Sequence, residues 1–70
     1  MKATFYDAES SEEICELTID GLHSAPLVGD SVILLSSKEY EKVYGYDNRS
    51  GTVQSRLIDY RDDSITLFIK

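Results

Sequence analysis

The chain has 70 residues, a net charge of −6, 41% hydrophobic and 29% charged residues, one cysteine and one histidine. A chain of this length makes a single domain, residues 1–70, that buries only about 60% of the surface its unfolded form exposes. A lone cysteine and a lone histidine exclude an internal disulfide and a Cys/His zinc site, so stability rests on packed strands, with oligomerisation as a further source.

Lys2–Asp7 reads as a first strand. Ala8–Glu12 follows as an acidic turn, and Glu13–Asp20 as a second strand, where Cys15, Leu17 and Ile19 alternate with Glu16 and Thr18. Such alternation marks a strand with one buried and one wet face. Gly21–Gly29 lacks alternation and reads as a loop; Val28-Gly29-Asp30 then leads into a third strand, Ser31–Leu35. There the Gly suits a tight turn, and the Asp carboxylate can accept hydrogen bonds from nearby backbone N–H groups.

Two readings compete for 36–48. Ser36 and Glu39 have the spacing of a capping box, and Tyr40, Val43 and Tyr44 share a helical face. Alternatively Lys42, Tyr44 and Tyr46 share one face of a strand. The favoured reading is one helical turn near Ser37–Tyr40 followed by a strand near Lys42–Tyr46. Asp47–Gly51 is rich in turn formers, and Thr52–Tyr60 and Ser64–Lys70 make a closing hairpin around Arg61-Asp62-Asp63.

Short strands separated by turn signals, without a long helix, define an all-β meander. Curling it into a barrel removes most of its exposed edges. The expected fold is a five- or six-stranded antiparallel barrel with at most one short helical turn. Its expected core is Phe5, Leu17, Ile19, Val28, Val32, Leu34, Val43, Val53, Leu57, Ile65, Leu67 and Ile69, with Cys15 beside them.

Ala3-Thr4-Phe5-Tyr6-Asp7, the acidic hairpin loop and Val28-Gly29-Asp30 together resemble an SH3-like small β-barrel. The resemblance covers the first half of the chain and implies the barrel shape. The chain has no tryptophan, so it does not carry over the family's groove for proline-rich peptides. The closing pattern, Gly51–Tyr60 followed by Ile65–Ile69, is similar to small proteins of bacteria, their phages and mobile elements.

The net charge is lopsided. Residues 1–35 hold Lys2 against seven acids, whereas cations and acids balance in 36–70. This argues against direct nucleic-acid binding, which needs a basic stripe. It suits steering of a basic protein partner, or solubility alone. The longest apolar run, Val32–Leu35, is too short to span a membrane. An unpaired cysteine and an N-terminus without a signal-like segment point to a reducing cytoplasm.

Catalysis is not expected. His23 has no Ser or Cys nucleophile placed beside it by local sequence. Cys15 lies in the inward register beside Glu16, where an acid raises a thiol pKa instead of lowering it. Glu12-Glu13 and Asp62-Asp63 lack the ligand spacing of a calcium loop, and no phosphate-binding glycine loop occurs. No metal or cofactor is implied.

Five tyrosines are the remaining feature. Tyr40, Tyr44 and Tyr46 cluster, and their rings suit either an interface or the ends of a small core. The expected function is therefore a non-enzymatic protein-interaction module. Glu9, Glu12 and Glu13 would meet a basic partner, with Tyr40, Tyr44 and Tyr46 as the apolar centre. The alternative is a phage or mobile-element inhibitor that occupies a nucleic-acid-binding surface of a host or defence protein.

Overall fold

The structure is a computed structural model that describes residues 1–35 and 48–70. The expectations for 36–47, including the helical turn, the strand near Lys42–Tyr46, Val43, and Tyr40, Tyr44 and Tyr46, lie outside the described residues. Five strands are described: β1 (Lys2–Asp7), β2 (Glu13–Thr18), β3 (Ser31–Leu35), β4 (Asn48–Asp59) and β5 (Ser64–Ile69). A single 3-10 turn, Leu22–Ser24, interrupts the segment expected to be loop throughout.

The strands form one sheet in the order β2-β1-β5-β4-β3. The edge strands β2 and β3 lie side by side without a hydrogen-bonded ladder, which makes the sheet a nearly closed small all-β barrel. The expected all-antiparallel pairing fails at one place, since β1 pairs with β5 in parallel, Lys2 opposite Ser64 through Asp7 opposite Ile69. The reason is parity. Successive strands of a meander reverse direction, so the first and fifth run the same way. A five-stranded meander that closes through these two must include one parallel pair.

The inner face carries the core. Phe5, Leu34, Val53, Ile65, Leu67 and Ile69 are buried as expected, joined by Ala3 and Ala25. Ile65, Leu67 and Ile69 alternate along β5 with half-buried residues, the period of two that a covered face imposes. Cys15, Ile19 and Val32 pack against this cluster while partly exposed. A fully buried Ile, Leu or Val contributes roughly 1.5–3 kcal/mol by leaving water. The three β5 side chains, all nearly fully buried, therefore contribute a substantial share of the stability of this small domain.

Three expected core residues are not buried: Leu17, Val28 and Leu57 are 46%, 60% and 65% exposed. Leu17 has the expected register, opposite Ala3, but β2 has a hydrogen-bonded neighbour on one side alone among the described residues, and Leu17 stays half exposed there. Val28 occupies the tip of the Leu27–Asp30 turn. That turn itself follows expectation. Asp30 donates its N–H to the Leu27 carbonyl at 3.0 Å, Asp30 Oδ2 accepts the Leu27 N–H at 2.8 Å, and Gly29 adopts φ +96°. This is a type II arrangement, whose third residue takes a positive φ that glycine adopts without strain.

Leu57 is displaced by a β-bulge. Val53 lies opposite Ile69 but Ser55 lies opposite Phe68, so Gln54 is an extra residue in β4. Beyond it the inward positions fall on Arg56, opposite Leu67, and Ile58, opposite Ile65. Leu57 is turned to the outer face opposite Thr66. Arg56 thus takes the place expected for an apolar side chain. Its Nε is buried with no hydrogen-bond partner among the described residues.

Candidate functional site: the acidic first hairpin

The loop joining β1 to β2, Ala8–Glu12, is organised by one carboxylate. Asp7 Oδ1 accepts the backbone N–H groups of Glu9 at 2.8 Å and Ser10 at 3.1 Å. The Asp7 carbonyl accepts the Ser11 N–H at 2.9 Å, and the Asp7 N–H donates to the Glu12 carbonyl at 2.9 Å. Ser10 Oγ accepts the Glu12 N–H at 3.3 Å. Asp is suited to this because its short side chain reaches amides two and three residues ahead. Arg49, from β4, donates to Asp7 Oδ2 at 2.5 Å and so ties the loop to the far side of the barrel. The two loop amides and then the Arg49 guanidinium hold the Asp7 carboxyl below its ordinary pKa of 3.8.

The hairpin of β4 and β5 repeats the device. Asp59 Oδ1 accepts the N–H groups of Arg61 and Asp62 at 2.9 and 3.2 Å. In both loops the fourth residue after the Asp is in the left-handed region, Ser11 at φ 64° and Asp63 at φ 52°. Small polar residues adopt that conformation at lower cost than bulky ones.

Around the Asp7 clamp, Glu9, Glu12 and Glu13 are all exposed. Glu9 forms an ion pair with Lys70 at 3.5 Å, and Glu16 with Lys2 at 3.2 Å. No cation pairs with Glu12 or Glu13 among the described residues. Glu13 belongs to the outer face of the sheet, opposite Tyr6 of β1, which is in turn opposite Phe68 of β5. The Tyr6 and Phe68 rings stack with centroids 5.7 Å apart and planes 27° apart. The structure therefore sets one acid of the first hairpin, Glu13, in the same row as this aromatic pair. Tyr60, on the β4–β5 loop, is 79% exposed.

Asp7, Arg49 and Phe68 were not among the candidate residues read from sequence. An Asp immediately before a short polar turn is a legible signal for the clamp. Nothing local announces Arg49, whose partner is 42 residues away. Phe68 meets Tyr6 only through the parallel register.

Cys15 is half-buried, and its thiol pKa is raised, first by burial and then by the Glu13 carboxylate. The acid responsible is Glu13 and not the adjacent Glu16, whose carboxylate pairs with Lys2. His23 is exposed on the 3-10 turn. Among the described residues no three His, Cys, Asp or Glu side chains stand together as a metal cluster, and no helix is long and apolar enough to cross a membrane. No family model, curated protein or solved structure matches the chain.

Proposed function

We propose that this chain is a non-enzymatic protein-interaction module, an SH3-like barrel acting in the cytoplasm, whose first hairpin meets a basic surface of a protein partner. The observation that carries this reading is the Asp7 clamp. It fixes the loop backbone through four hydrogen bonds and an ion pair while Glu9, Glu12 and Glu13 stay in solvent. A loop held in one shape loses little conformational freedom when a partner arrives. Exposed carboxylates on it speed encounter with a basic surface. The pairing of Glu9 with Lys70 and Glu16 with Lys2 interrupts the run of acids. That fits a local contact better than mimicry of a phosphate backbone by a mobile-element inhibitor.

The test begins with affinity capture of the partner from the native cell. Replacing Glu9, Glu12 and Glu13 together by Gln is expected to slow association about tenfold at low salt. The melting temperature should barely move, because exposed carboxylates add little to folding. The difference in rate should shrink as added salt screens the field. A triple variant that associates at the wild-type rate and with the wild-type salt dependence would overturn the proposal.

A further inference from the structure

We infer that the outer face of β1 and β5 binds an arginine side chain of the basic partner, laid across the Tyr6–Phe68 pair with its guanidinium at Glu13; this rests on reading the chain as an interaction module. Register defines the surface. One row across the sheet runs Glu13, Tyr6, Phe68, Ser55, and the next runs Glu16, Thr4, Thr66, Leu57. Glu13 is registered opposite Tyr6, just past a register shift between Phe5 and Tyr6 that leaves Ile14 as an extra residue in β2, and so it shares the face that carries the Tyr6 ring. The result is an apolar band of two half-buried rings, two threonines and the 65% exposed Leu57, flanked on the β2 side by carboxylates.

The charge pattern selects the occupant. Lys2 and Lys70 already bring ammonium groups onto Glu16 and Glu9, flanking this face. Glu13, in the row that contains both rings, has no such cation among the described residues. An arginine fits both halves of this row. Its guanidinium stacks on aromatic faces and forks onto a carboxylate, and its methylene stem covers apolar surface. A nucleic-acid base would also stack on the rings, but its phosphates would meet the acids. An uncharged apolar segment would leave Glu13 facing it without a partner.

The experiment uses the full chain and a short capped peptide of alternating glycine and arginine, followed by NMR, with a glutamine-for-arginine peptide as control. The arginine peptide is expected to shift the ring protons of Tyr6 and Phe68 together with the Glu13 amide, and the glutamine peptide to leave them in place. Phe68→Ala and Glu13→Gln are each expected to weaken binding about twofold to fivefold. Both variants leave the buried face of β5 intact, which a melting curve checks.

Binding that shifts only Glu9 and Glu12 would overturn the inference while leaving the module proposal in place. So would unchanged affinity in Phe68→Ala, because Phe68 is not part of the acidic hairpin. Equal shifts with the glutamine peptide would overturn it as well. If the triple hairpin variant binds its partner normally, the module proposal fails by its own test, whatever the rings show.

Discussion

Asp7 carries more of the candidate site than any of the glutamates around it. Its carboxylate faces two loop amides and one guanidinium, all of which favour the charged form. The sign of the pH dependence follows. A carboxyl whose native pKa lies below its unfolded value stabilises the fold fully above the unfolded value, here 3.8. That contribution disappears as pH falls through the lower, native-state value. Asp7→Asn keeps an oxygen for the loop amides but loses the charge that meets Arg49. We expect this variant to melt below the wild type near neutral pH, and the gap to close as the solution is acidified past 3.8. Thermal melts across that range decide the matter; a gap that stays constant at low pH would mean that the ion pair adds nothing. The Cys15 thiol illustrates the opposite case, since burial and the Glu13 charge both disfavour its thiolate.

Among the elements, β4 departs most from its sequence pattern. The bulge at Gln54 exchanges the faces of everything after it, so Leu57 and Ile58 have contrasting fates despite being adjacent and equally apolar. Leu57→Ala should change stability by less than about 0.5 kcal/mol, and Ile58→Ala should lower it by about 1–3 kcal/mol. Urea midpoints for the two variants measure this, and the reverse order would mean that β4 runs without the bulge. The same contrast explains what could be read in advance. β1 and β5 fall on the segments expected as strands, Lys2–Asp7 and Ser64–Lys70, and Asp30 closes its turn as its position beside Gly29 suggested. Arg56-Leu57-Ile58 offers apolar side chains to either face, so alternation alone does not determine which one enters the core. The exposure of Leu17 depends on β2 being an edge strand, which is a property of strand order and not of its own residues. The acidic hairpin was visible as a charged turn, but its clamp and its aromatic neighbour need contacts between distant parts of the chain.

At the scale of the molecule, the odd number of described strands determines how the sheet closes. Among the described residues β1, β5 and β4 each have hydrogen-bonded neighbours on both sides, whereas β2 and β3 have one each. Native-state hydrogen exchange should therefore be slowest in β5 and β1 and fastest at the outward-facing amides of β2 and β3. Equal protection at those edge amides would show that β2 and β3 are joined by hydrogen bonds after all. The parallel pairing has a practical consequence for any assay. Because β1 and β5 run in the same direction, Met1 and Lys70 come to rest at opposite poles. The Lys2 N–H donates to the Asp63 carbonyl at 3.2 Å, beside the β4–β5 loop. At the other pole the Ala8 N–H donates to the Ile69 carbonyl at 2.7 Å, and Lys70 pairs with Glu9. A biotin handle attached at residue 1 would therefore hold the acidic loop away from a sensor surface, open to analyte in the flow. The same handle at residue 70 would press that loop against the chip and silence it.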